Sequence, residues 1–141
     1  MTEYKKIFLD TAPLIYYLQR DYRYYEIVSE LFDNYILNNA EFVSSDITIT
    51  EYLVYPYKNN DFAAVDELKS FFNVMEAKIY HTSFAIANTA AKIRAEYKGF
   101  KAMDSLQLAT AIHSEADLFL TNDKQLKQFQ KIKCAIIDDF M

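Results

Sequence analysis

Two short apolar runs constrain this chain more than anything else in it. Ile7-Phe8-Leu9 ends at Asp10, and Leu118-Phe119-Leu120 ends, after Thr121-Asn122, at Asp123. Runs this short and continuous are the pattern of strands buried on both faces of a parallel sheet, whereas a half-exposed strand would alternate apolar and polar residues. Helical stripes lie between them: Leu14, Tyr17 and Leu18; Tyr24, Ile27, Val28, Leu31 and Tyr35; Val65, Leu68 and Phe72; Ile86, Ala90, Ile93 and Tyr97; Leu108, Ala111 and Ile112. Phe42-Val43-Ser44, Lys78-Ile79-Tyr80 and the segment from Cys134 to Ile137 read as further strands. Strands alternating with helices predict a doubly wound α/β domain, a parallel sheet of about five strands with helices on both faces.

The element ends carry local signals. Thr11 is placed to cap the first helix, with Pro13 in its first turn. The next helix runs from about Arg23 to Asn38 and stops at Asn38-Asn39. A helix starting at Asp46 or Thr48 carries Glu51 in its first turn, Thr48-Ile49-Thr50-Glu51 spells a capping box, and Pro56 is expected to end it. Asp61 to about Phe72 is another helix; Ser83 caps one that ends near Gly99, and Lys124 to Phe129 forms a short one.

At 141 residues the chain is expected to form one domain spanning 1–141. Its lone cysteine, Cys134, has no partner within the chain and reads as a small buried hydrophobe, which suits a reducing cytoplasm. No apolar run approaches the roughly 20 residues that span a bilayer, and Met1 to Lys6 has no secretory pattern, so no membrane role is expected. A net charge of −5 argues against a coat that binds nucleic acid nonspecifically. It leaves room for a nuclease, because divalent cations reverse the sign of an acidic pocket where the phosphate arrives. Gly99 is the only glycine, which excludes glycine-rich phosphate loops and dinucleotide fingerprints.

Asp10, Glu51, Asp104 and Asp123 all follow a strand or open a helix. Singly, each is accounted for as a helix-terminal acid, since carboxylates pair with orphan N–H groups and the macrodipole. Together they are harder to dismiss. In a parallel sheet the residues that follow the strands gather at one edge, where open sheets of this kind bind ligands. Carboxylates about 4 Å apart repel by about 4 kcal/mol per pair at an effective dielectric of about 20, a cost that a divalent cation converts into binding. Oxygen-only ligands suit Mg²⁺ or Mn²⁺; with one cysteine and only His81 and His113, zinc is poorly supplied.

At these residues the chain resembles the PIN-domain nucleases, and in size and spacing the VapC-type toxins of toxin–antitoxin pairs. The resemblance spans the whole chain. It rests on Phe8-Leu9-Asp10-Thr11, on Thr48-Ile49-Thr50-Glu51-Tyr52-Leu53, on Met103-Asp104-Ser105-Leu106-Gln107-Leu108-Ala109-Thr110-Ala111 and on Phe119-Leu120-Thr121-Asn122-Asp123-Lys124, the last two being the specific ones. It implies a PIN-like three-layer fold and an endoribonuclease whose Asp10, Glu51, Asp104 and Asp123 hold one or two Mg²⁺ or Mn²⁺ ions. It also implies a homodimer, a cognate antitoxin that blocks the site, and products bearing a 5′-phosphate and a 3′-hydroxyl. Asp10 and Asp104 are then the principal ligands, with Thr11 and Thr121 orienting carboxylates or water. Ala12-Pro13 after the first acid and hydroxyl is a mild departure from the family pattern.

Other readings fare worse. A haloacid-dehalogenase-like phosphatase needs a second acid two positions after the first, where Ala12 stands. A receiver domain needs adjacent acids after the first strand, and here Asp138-Asp139 lie at the far end of the chain. An inactive PIN module that binds RNA or protein would have no need of all four acids. Lys101, Lys124 and Arg94 fall near the expected edge, and the dense tyrosines Tyr16, Tyr17, Tyr22, Tyr24 and Tyr25 exceed what one helix face buries.

Overall fold

The computed structural model describes residues 3–141. Its strands β1 (Lys6–Leu9), β2 (Glu41–Ser45), β3 (Lys78–Tyr80), β4 (Leu118–Thr121) and β5 (Lys133–Ile136) form one sheet in the order β3-β2-β1-β4-β5. Every pairing is parallel. The helices are α1 (Thr11–Leu18), α2 (Tyr25–Leu37), α3 (Asp46–Lys58), α4 (Phe62–Val74), α5 (Phe84–Glu96) and α6 (Ala102–His113), with 3₁₀ turns at Lys124–Gln128 and Ile137–Phe140.

The apolar runs divide between two cores because successive strand residues point to opposite faces. Ile7, Leu9, Leu118 and Leu120 face one layer, where Leu14, Val28, Phe32, Tyr52, Leu68 and Phe71 close over them. Phe8 and Phe119, paired in register, stack at 5.1 Å on the other face beneath α5 and α6. This is the three-layer α/β arrangement that the sequence predicts. Cys134 is buried in the second core, and burial pushes its thiol up to about 12, so it behaves as a hydrophobe.

The layers also fix where a site can form. Strands β1 to β3 step toward one edge with α1, α2, α3 and α4 between them; α5 and α6 then lie over the opposite face, and β4 and β5 extend the sheet the other way. The reversal falls between β1 and β4, and at such a switch point loops part and leave a crevice at the carboxyl ends of the strands.

Three local expectations are corrected. Asp10, not Thr11, is the N-cap of α1, its carboxylate accepting the Thr11 N–H. The cap of α3 is Ser45, whose hydroxyl accepts the Thr48 N–H, so α3 takes the Asp46 start of the two expected and Glu51 lies in its second turn; the Thr48–Glu51 capping box does not form. Pro56 does not end α3, which continues to Lys58 with Pro56 buried inside it. A proline removes one ladder bond, and here the last turn is tied down regardless, because Asn59 and Asn60 donate to the Tyr55 and Tyr57 carbonyls and Asp61 to that of Pro56. Ser83 caps α5 as expected, and the short helix expected after Asp123 is present as a 3₁₀ helix, Lys124–Gln128.

Candidate active site

β1 and β4 deliver their last residues side by side, and the Asp10 N–H donates to the Leu120 carbonyl at 3.0 Å. Asp10 is the most constrained acid in the molecule. Its Oδ2 accepts the Thr121 hydroxyl at 2.7 Å, and its Oδ1 accepts the Thr11 N–H at 2.9 Å and Gln107 Nε2 at 3.2 Å. Burial pushes its carboxyl up, and these three donors pull it back only in part, with the Glu51 charge adding to the rise. Thr121 also accepts the Asp123 N–H at 3.1 Å, so one hydroxyl ties the loop after β4 to the acid after β1.

Glu51 reaches in from α3. It accepts the Thr11 hydroxyl at 2.7 Å, which orients the carboxylate toward α1. Asp104 sits in the first turn of α6, half-buried, with no hydrogen-bond donor to it among the described residues. Burial raises its carboxyl to about 6, with the charges of Asp123, Asp10 and Glu51 adding to the rise and Lys101 opposing it. Asp123 caps the following 3₁₀ turn by accepting the Gln125 N–H at 3.1 Å. All four acids line one open pocket of ≈ 700 Å³, together with Thr11, Tyr16, Thr121, Asn122 and Lys124.

Gln107 belongs to this set and sequence reasoning missed it. It is buried, its Nε2 also donates to the Thr48 hydroxyl at 2.7 Å, and its Oε1 accepts the Ser45 hydroxyl. Ser45, Thr48, Gln107, Asp10 and Thr121 thus form a polar chain beneath the pocket, drawn from β2, α3, α6, the junction of β1 with α1, and β4. The one signal for it is its spacing: Gln107 stands three residues after Asp104, one helical turn along the same face.

His81 and His113 lie outside the pocket: His81 follows β3 beside Asp46 at 3.7 Å, and His113 shares a hydrogen bond with Thr89. Arg94 is engaged as well, donating to the Phe100 carbonyl at 3.3 Å.

Oxygen donors dominate the pocket, and neither cysteine nor histidine lines it, so its chemistry fits a hard divalent cation rather than zinc. Among the described residues no three acids are drawn close enough to enclose an ion unaided. Mg²⁺ and Mn²⁺ tolerate that, because Mg²⁺ binds through one or two carboxylates while keeping several waters.

A PIN-domain family model matches residues 7–132, which include all four acids and the network beneath them. The chain belongs to the PIN-domain family. Solved structures agree on the fold of this PIN chain. A DNA-bound VapBC complex from Salmonella typhimurium aligns with 21% identity and a TM-score of 0.73 over 94% of this chain and 98% of that one. VapBC2 from Rickettsia felis, bound to a fragment of its promoter, aligns with 19% identity and a TM-score of 0.72 over 93% and 98%. The sarcin–ricin loop cleaving toxin VapC20 of Mycobacterium tuberculosis aligns with 13% identity and a TM-score of 0.64 over 80% and 86%. No curated protein sequence matches the chain.

Proposed function

We propose that the chain is a Mg²⁺- or Mn²⁺-dependent endoribonuclease, the toxin of a toxin–antitoxin pair, acting as a homodimer in the cytoplasm and held in check by a cognate antitoxin. The observation that carries this reading is the convergence of Asp10, Glu51, Asp104 and Asp123 on one pocket at the switch point of a PIN fold. Four acids gathered with little cationic compensation cost stability, and a bound cation offsets that cost. The VapBC neighbours support the antitoxin partner, and among the described residues no helix is long and apolar enough to cross a membrane.

Asp10 and Asp104 would be the principal ligands of the ion, with Glu51 and Asp123 completing the set directly or through water. When bound, the ion supplies Lewis-acid stabilisation of charge on a phosphodiester. The protein's own part is orientation. Thr121, Gln107 and the Thr11 amide hold the Asp10 carboxylate in one rotamer, and the Thr11 hydroxyl does the same for Glu51. Asp104, free of such donors, is able to turn toward whatever enters.

The test is cleavage of single-stranded RNA with Mn²⁺ or Mg²⁺, with and without chelator, by the intact chain and its Asp104→Asn variant, beside growth on expressing each alone. Metal-dependent cleavage lost in the variant, with growth arrest by the intact chain only, is the expected result. Cleavage that persists in chelator or in the variant would overturn the reading, and cleavage without growth arrest would make it a PIN nuclease not paired as a toxin.

A further inference from the structure

A strand of RNA brings one negative charge per nucleotide to a pocket that already holds four carboxylates, in a chain of net charge −5. Cations beside the pocket must hold the flanking phosphates, since such contacts position a strand without reading its sequence. Some of the surface cations are already engaged: Lys127 contacts Asp139, and Arg94 donates to the Phe100 carbonyl.

One stretch of rim differs. Asn122, between Thr121 and Asp123, donates from Nδ2 to the Tyr16 hydroxyl at 3.1 Å and accepts the Asp138 N–H through Oδ1 at 2.9 Å. The Tyr16 ring stacks on Tyr24 at 4.1 Å, and the Tyr24 hydroxyl donates to Asp138 Oδ1 at 2.9 Å. The Arg23 guanidinium lies over the outer part of that stack, 5.2 Å from the Tyr24 ring centre. Lys124 lines the pocket itself and places its ammonium 3.9 Å from Asp138 Oδ2. Both cations act on Asp138, whose carboxyl is held below its ordinary value first by the Tyr24 hydroxyl and in smaller part by these two charges.

The arrangement holds the cations in place without consuming them. A separation of 3.9 Å is an ion-pair contact, too long for a hydrogen bond, so the Lys124 ammonium keeps its donors. Arg23 has no ion pair or side-chain hydrogen bond among the described residues, only its position over the Tyr24 ring, so its positive charge is left for an incoming anion. The support beneath them is continuous with the catalytic loop, because Asn122 adjoins Asp123.

We propose that Arg23 and Lys124 form a subsite for the backbone phosphates of single-stranded RNA flanking the bond to be cut, on the Asp123 side of the pocket. This rests on the ribonuclease reading above. The Tyr16–Tyr24 stack sets the height of the guanidinium and Asp138 spaces the two charges; neither needs to touch the strand.

The test measures binding apart from cleavage. In an Asp104→Asn background, which leaves the strand uncut, a short fluorescein-labelled single-stranded RNA is titrated and followed by anisotropy at several salt concentrations. Adding Arg23→Gln and Lys124→Gln is expected to weaken binding about tenfold at low salt and to lower the slope of log affinity against log salt by about 1 to 1.5, as losing two phosphate contacts requires. The charge-keeping pair Arg23→Lys with Lys124→Arg should restore affinity and slope, and thermal melts establish that each variant is folded. Unchanged affinity and slope in the Gln pair would overturn the subsite while leaving metal-dependent cleavage by the unsubstituted chain untouched. An equal loss in the charge-keeping pair would assign these residues to structure alone and likewise overturn it. A chain that neither binds nor cleaves RNA would overturn both readings.

Discussion

The two ends of the sheet both carry acids, and they use them in opposite ways. At the amino-terminal end Asp117 accepts the backbone N–H groups of Lys5 and Lys6 at 2.9 and 3.0 Å, and Lys6 reaches toward Glu41 at 3.9 Å. Charge there closes the end of the sheet, and both of these acids have a donor or a cation to answer them. At the carboxyl end Asp10, Glu51, Asp104 and Asp123 share one pocket; neutral donors answer the first two and Asp123, none of the four has a salt bridge among the described residues, and Asp104 has no donor there and only Lys101 to temper it. Acids by themselves therefore say little about function. Charge left uncompensated at one place, and held there by a buried polar network, is what separates a site from a set of caps.

The largest effects should separate the two ends by activity. Asp10→Asn and Asp104→Asn are expected to lower RNA cleavage by about 10³-fold or more while keeping the native circular dichroism spectrum, because each would remove an anionic ligand of the proposed ion and leave the core intact. Gln107→Leu should strike both properties at once. It leaves the Ser45 and Thr48 hydroxyls and one Asp10 contact without their partner, so denaturant unfolding should show a loss of about 2–4 kcal/mol and cleavage should fall with it. Asp117→Ala should cost about 1–2 kcal/mol in the same unfolding measurement and leave cleavage near its original rate, the signature of an acid whose work is purely structural.

The smallest effect has the opposite sign. The folded-state value of Asp104, about 6, lies above its ordinary 3.8, so the folded chain holds this proton more tightly than the unfolded chain does. Its contribution to stability is greatest below pH 4, declines as pH rises to about 6, and is lost above that. With metal chelated, Asp104→Asn should therefore stabilise the domain at pH 7.5 by about 1 kcal/mol, the full shift being reduced by solvent screening at this half-buried position, and the gain should vanish near pH 4. A destabilised Asp104→Asn at pH 7.5 would mean that this end of the sheet is compensated after all.

How far the sequence foretells this molecule depends on which forces decide each part. β1 and β4 are legible because a strand buried on both faces leaves an unbroken apolar run, and the acids closing them are legible because parallel strands share one edge. Helix ends are less so, since tertiary context decides between competing caps. Ser45 outcompetes Thr48 because β2 ends one residue before α3 begins, and Glu51, freed from a capping box, is available to Thr11. Pro56 misleads because its ring is buried and the turn around it is tied by other donors. Gln107 is hidden for a different reason: its partners Ser45, Thr48 and Asp10 are remote in sequence, and only the packing of α6 over β2 brings them together.

The most direct measurement is a calorimetric titration of Mn²⁺ into the intact chain and into its Asp104→Asn variant at neutral pH. Saturable binding to the intact chain that is lost in the variant is the predicted result. An intact chain that takes up no Mn²⁺, or a variant that binds it as well as the intact chain does, would contradict the claim that these four carboxylates are gathered to hold a cation.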